Sequence, residues 1–157
     1  MSDRSSLEVE VPPEQWERFC AVVEISAGSW DAVEQGRAGR TVRATVADVA
    51  GGGVDQTCLA AKEDLRFLAQ HGRHYAYDGG VSVNFDGEFV AFLDALDDDP
   101  VPAVRIRPNG EPDAAELRQA RAYWAIVAKF NAAYPEDDRC PHGMFFTGAG
   151  ACPQCGD

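Results

Sequence analysis

Apolar and charged residues alternate from Leu7 to Val11, the period of a strand with one buried face, and Pro12-Pro13 then fixes a turn. Pro13 suits the first position of a helix, where its missing N–H costs nothing. Trp16, Phe19, Cys20 and Val23 follow at i, i+3, i+4 and i+7, so they share one face of a helix that ends near Gly28. Cys20 on that face reads as a core residue rather than a nucleophile, because no basic residue stands by to activate it. Ser29 is placed to cap a short helix through Gln35 that buries Trp30 and Val33, with Gly36 and Gly39 breaking it. Val42, Ala44 and Val46 alternate with Thr41, Arg43 and Thr45 as in a half-buried strand.

Gly51-Gly52-Gly53 reads as a flexible connection, since no Lys-Ser/Thr pair follows to make it a phosphate-cradling loop. From Asp55 to Gln70, Leu59, Lys62, Leu65, Leu68 and Ala69 give a helical period that Gly72 ends, with Cys58 on the buried face and Asp64 and Arg66 directed outward. Val81–Phe85 and Glu88–Leu93 are two alternating runs joined by Asp86-Gly87, a hairpin signal because both turn positions need positive φ. Val101–Arg107 predicts an edge strand with Val104 and Ile106 inward, closed by a turn at Pro108-Asn109-Gly110. The longest helix is predicted from Asp113 to Tyr134, opened by the capping-box pattern Asp113-Ala-Ala-Glu116 and stopped before Pro135. Leu117, Ala120, Trp124, Val127 and Asn131 form its central stripe, widened by Tyr123, Ile126 and Phe130. So broad an apolar face is expected to pack across a sheet.

These elements describe an α+β fold, a small antiparallel sheet packed by about three helices, with a C-terminal zinc knuckle. They divide the chain into an acidic α+β domain (1-134), a short polar linker (135-139) and a metal-binding tail (140-157). At 157 residues the chain buries a core without disulfides. Its formal net charge of -12 repels phosphate backbones, which disfavours duplex DNA and favours a basic protein partner. No apolar run approaches the roughly 18 residues of a membrane span, and the segment Met1–Ser6 lacks the basic and apolar regions of a signal peptide. A cytoplasmic, non-membrane protein is the expectation.

The five cysteines are unevenly placed, with Cys140, Cys152 and Cys155 crowding the C-terminus beside His142. An odd, clustered set of this kind favours metal over disulfides. Two ligand pairs, Cys140-x-His142 and Cys152-x-x-Cys155, separated by a loop have the spacing with which a short peptide closes around tetrahedral zinc. Cys152-Pro-Gln-Cys155-Gly156 resembles the CPxCG knuckle of zinc-ribbon and rubredoxin-like sites, in which the glycine lets backbone amides approach the thiolates. The resemblance covers residues 140-157 alone, and the first pair departs from the usual Cys-x-x-Cys. A Cys3His set fills all four zinc positions with protein and leaves none for water or substrate, so the zinc is expected to be structural. An iron centre, a redox dithiol at Cys152 and Cys155, or unligated cysteines are the alternatives for this tail.

Outside the tail, His71, His74 and Asp78 lie close together with Tyr75 and Tyr77 between them. They offer an acid–base group or a second metal site, against a plain reading of a solvent-facing helix end followed by a strand. Asp94, Asp97, Asp98 and Asp99 form an acidic patch whose spacing is not that of an EF-hand and which reads as a solvated loop. No P-loop, dinucleotide fingerprint, nucleophile elbow or HExxH helix is present. Three functional readings therefore stand: a non-enzymatic zinc-binding accessory or protein-interaction protein, a small enzyme using His71, His74 and Asp78, and a single-stranded nucleic-acid binder stacking bases on Phe145 and Phe146.

Overall fold

The computed structural model describes residues 4–72, 79–92 and 102–136. Among these the chain runs β1 (Arg4–Val11), α1 (Trp16–Val23), β2 (Ala32–Gly36), β3 (Thr41–Ala50), α2 (Val54–Lys62), β4 (Phe67–His71), β5 (Gly80–Phe85), β6 (Glu88–Phe92) and α3 (Ala114–Ala133). The six strands form one sheet in the order β2-β3-β1-β4-β5-β6, antiparallel throughout. The architecture is α+β, as expected from the sequence.

Because side chains alternate across a sheet, each strand serves two layers. Leu7, Val9 and Val11 of β1 face α1 and α2, where they join Phe19, Cys20, Val23, Ala44, Val46, Ala60, Phe67 and Ala69 in the larger core. Aromatic rings tie this layer together, with Phe19 against Phe67 at 5.8 Å and Trp16 against Trp30 at 5.4 Å between centroids. On the other face α3 lies over β5 and β6, packing Ala120, Tyr123, Ile126 and Val127 on Val81 and Val83. The Asp113 side chain caps α3 by accepting from the Glu116 N–H at 3.0 Å, as the capping-box pattern predicts. The Asp86-Gly87 turn closes the β5–β6 hairpin with φ of 48° and 85°.

Several expectations are corrected. The helix predicted from Ser29 to Gln35 is a single turn at Ala27–Ser29 followed by β2, an edge strand paired with β3 from Ala32 to Gly36. Trp30 is buried, whereas Val33, on the edge strand of the sheet, is 47% exposed. The helix predicted to Gln70 stops at Lys62, and Phe67–His71 is instead a strand hydrogen-bonded to β1 and β5. A segment flanked by two strands satisfies its backbone in the ladder, and that tertiary pairing overrides weak helical periodicity. α1 ends at Val23, earlier than Gly28, because Glu24 takes a left-handed conformation. Val101–Arg107 is no strand in its described part: residues 106 and 112 form an isolated bridge around the Pro108–Gly110 turn, and Ile106 points to solvent at 66% exposure. On α3 the buried stripe centres on Tyr123, Val127 and Phe130, leaving Trp124 46% exposed.

The glycine run is not a loose connection. Gly51, Gly52 and Gly53 all have positive φ, and Gly52 and Gly53 are buried in a tight turn that leads into α2. A Cβ on Gly53 at φ +78° would stand 2.6 Å from Leu7 Cδ2 in the core. Gly53→Ala is therefore expected to lower unfolding free energy by about 2–4 kcal/mol, from left-handed strain plus overpacking. Urea denaturation measures it, and a loss below about 0.5 kcal/mol would show that the turn yields freely.

Candidate functional site

On the α3 side of the sheet, register aligns Glu34, Arg43, Glu10, Leu68, Val83 and Val90 in one cross-strand row. α3 covers the apolar end of that row and leaves the β2–β3–β1 end polar. Glu10 is the central group there, a carboxylate on an inner strand that is nearly inaccessible. Its Oε2 accepts from Arg37 Nε at 2.6 Å, Thr41 Oγ1 at 2.6 Å and Arg43 Nε at 3.2 Å. Burial pushes the Glu10 carboxyl up, but the hydrogen bonds from Arg37 and Thr41 and the charges of Arg37 and Arg43 together hold it below its ordinary value.

Arg37 reaches Glu10 from a sharp turn in which Arg37, Ala38 and Gly39 have φ of 52°, 57° and 86°. Gly36 makes room for the other two donors, since a Cβ there would stand 2.7 Å from both Arg43 Nε and Thr41 Oγ1. The other end of the guanidinium serves α3: Arg37 Nη1 donates to Asn131 Oδ1 at 2.7 Å and to the Tyr134 carbonyl at 2.8 Å, over the Phe130 ring. A cation at a helix C-terminus meets the negative end of the helix dipole and a carbonyl that lacks a helical partner. Arg66 holds the same residue from the sheet, donating to the Tyr134 hydroxyl at 2.9 Å while lying over the Phe85 ring. Arg66, expected to point outward, is partly buried in this contact.

Beside the Glu10 cluster is a cavity of about 220 Å³, lined by Glu8, Glu10, Arg43, Leu68, Gln70, Val81 and Tyr123 among others. Tyr123 is only 7% exposed, yet among the described residues its hydroxyl makes no hydrogen bond. Burial alone pushes that phenol up to about 12. Glu8 has no ion-pair partner among the described residues, and its cross-strand neighbours, Thr45 and Gln70, are neutral. Arg43, by contrast, is balanced by Glu10 at 3.2 Å and Glu136 at 3.5 Å.

His71 lies on the opposite face of the sheet, 3% exposed on β4 rather than at a solvent-facing helix end. Its Nδ1 is 2.7 Å from the Gly52 carbonyl, which only accepts, so Nδ1 carries the proton and Nε2 accepts from Ser82 Oγ at 2.9 Å. Both ring nitrogens are satisfied in the neutral form, and burial lowers the pKa although the Gly52 contact raises it. His74 and Asp78 lie outside the described residues, as do the Asp94 and Asp97–Asp99 patch and the predicted ligands Cys140, His142, Cys152 and Cys155. Among the described residues no group of three or more His, Cys, Asp or Glu side chains is placed to hold a metal, and no helix is long and apolar enough to cross a membrane. Burial raises the Cys20 thiol, and burial with the charge of Asp55 raises Cys58, so both favour the un-ionised thiol. Comparison with protein-family models, with curated proteins and with solved structures finds no match to this chain.

Arg37→Ala would strand a buried carboxylate, an effect worth about 3–5 kcal/mol in denaturant unfolding at neutral pH. Because the folded-state pKa of Glu10 is lowered, its contribution is present above the ordinary carboxylate value of 4.5 and fades as pH falls through the folded value. The gap between wild type and Arg37→Ala should accordingly narrow in acid; a pH-independent gap below about 1 kcal/mol would remove the pair's structural role. His71 acts at higher pH. With its folded pKa below 6.5, the unfolded chain takes up a proton that the fold refuses, so stability is full above 6.5 and declines as pH drops toward the folded value. His71→Gln should flatten that decline, and an unchanged slope would show that His71 titrates normally.

Proposed function

We propose that the protein is a non-enzymatic accessory protein that binds a basic protein partner and carries one structural zinc ion. The acid-edged end of the sheet beside α3 carries the binding half of this reading: Glu8 and Glu34 are exposed on it, next to a cavity whose Glu8, Gln70 and Tyr123 side chains have no hydrogen-bond or ion-pair partner among the described residues. A net charge of -12 adds long-range attraction for a cationic partner. Cys140, His142, Cys152 and Cys155 would hold the zinc; three thiolates and an imidazole suit a tetrahedral site, and their number closes it to substrate. The zinc then stabilises the tail, because metal binding to a closed site is coupled to folding.

Protein purified without added metal or affinity tag is expected to contain one zinc per chain, lost in Cys152→Ser. Metal-free wild type with reactive thiols would overturn the zinc assignment in favour of a redox pair. For the binding face, fluorescence anisotropy with a short lysine- and arginine-rich peptide is expected to weaken in the Glu8→Gln, Glu34→Gln pair. It should not weaken in Glu14→Gln, Glu17→Gln, which removes the same charge from exposed positions around α1. Equal weakening by both pairs would reduce the effect to the overall field and eliminate this face as the site.

A further inference from the structure

We infer that the cavity between α3 and the open end of the sheet seats the guanidinium of one arginine side chain from the basic partner. The inference rests on the proposed binding role and assigns the residue that is recognised. At about 220 Å³ the cavity falls below the roughly 300–1,000 Å³ of typical small-molecule sites, so it suits one side chain rather than a cofactor. Leu68 and Val81 supply an apolar floor for an aliphatic stem. Around them stand three oxygen acceptors without partners among the described residues: the Glu8 carboxylate, the Gln70 amide oxygen and the Tyr123 hydroxyl.

Tyr123 adds a third acceptor. Its side chain is 7% exposed in a wall of the cavity, and its hydroxyl, which makes no hydrogen bond among the described residues and is not sealed from solvent, is free to pair with an incoming donor. The sign of the missing partner follows from the charges. Arg43 is already matched by Glu10 and Glu136, and Glu10 by Arg37, Thr41 and Arg43, so among the described residues the unmatched charge on the cavity is the carboxylate of Glu8. A cation answers it. Between the two cationic side chains, the guanidinium is planar, weakly hydrated and carries donors in several directions, which fits three dispersed acceptors better than the compact, strongly hydrated ammonium of lysine.

The full chain would be titrated with a short peptide of alternating arginine and serine and with its lysine and citrulline counterparts, following the methyl NMR signals of Leu68 and Val81. The arginine peptide is expected to bind several-fold more tightly than the lysine peptide and to shift both residues' methyls, with the uncharged citrulline peptide failing to bind. Tyr123→Phe should weaken arginine binding by at least about tenfold, the loss of one hydrogen bond to a charged group. Its denaturation midpoint should be unchanged or higher, because the hydroxyl has no hydrogen-bond partner among the described residues. Equal affinity for arginine and lysine, or arginine binding indifferent to Tyr123→Phe, would overturn the cavity assignment. Binding that still responds to the Glu8→Gln, Glu34→Gln pair would then leave the binding face standing, whereas no binding of either cationic peptide would end both.

Discussion

A carboxylate on an inner strand of a sheet is the constraint from which much of this molecule follows. Removing an isolated carboxylate from water costs several kcal/mol even after relaxation, so Glu10 is tolerable only with cations and donors at contact distance. Those come from three positions on or just before β3, and Arg37 arrives only because the chain turns through consecutive left-handed residues. The strain of that turn, about 1–2 kcal/mol per non-glycine residue, is smaller than the cost of an unpaired buried charge. Arg37 then has a second end to satisfy, and the C-terminus of α3 satisfies it. One acidic side chain thus couples the central strand, the β2–β3 connection and the last helix.

The fold was legible where a pattern is local and strong. Leu7 to Val11, the Asp86-Gly87 hairpin and the Asp113 cap each declare their conformation within a few residues, because pleat, turn and cap geometry are set by near neighbours. β2 and β4 escaped for opposite reasons. β2 is an exposed edge whose apolar residues bury little, so its alternation is faint. β4 has a clear alternation at Phe67, Ala69 and His71, but Leu65, Leu68 and Ala69 also fit a helix, and pairing with strands on both sides decided between the two periods.

The candidate site was less legible than the fold. Cysteine and histidine at zinc-ligand spacing stand out in a linear string, because the expected ligands are neighbours in sequence. The Glu10–Arg37 contact spans 27 residues and the Arg37–Tyr134 contact 97, so no window of sequence contains either. Gly36 and Gly39 flanking Arg37 were the available signal, and they read as breakers rather than as a close approach to Arg43 and Thr41 and a left-handed turn. The Tyr123 cavity is equally nonlocal: strand register sets Glu8, Gln70 and Val81 side by side, and the rotation of α3 brings Tyr123 rather than Trp124 over them. His71 shows the same limit from the other side, because only its pairing with Gly52 and Ser82 reveals a satisfied core residue.

The position of β1 in the strand order also governs how the chain assembles during translation. β1 leaves the ribosome first among the described strands, yet it lies between β3 and β4, both made later. Until Thr41–Ala50 and Phe67–His71 have emerged, the apolar run Leu7, Val9 and Val11 is an unpaired strand with two open edges. Contacts of such long sequence separation form slowly, and exposed strand edges in that interval are sites of intermolecular pairing. Glu8 and Glu10, interleaved with those apolar residues, put negative charge on the nascent strand, and like charges oppose its stacking against copies of itself. The carboxylate that is so costly to bury in the finished protein thereby keeps the unfinished one apart from its neighbours.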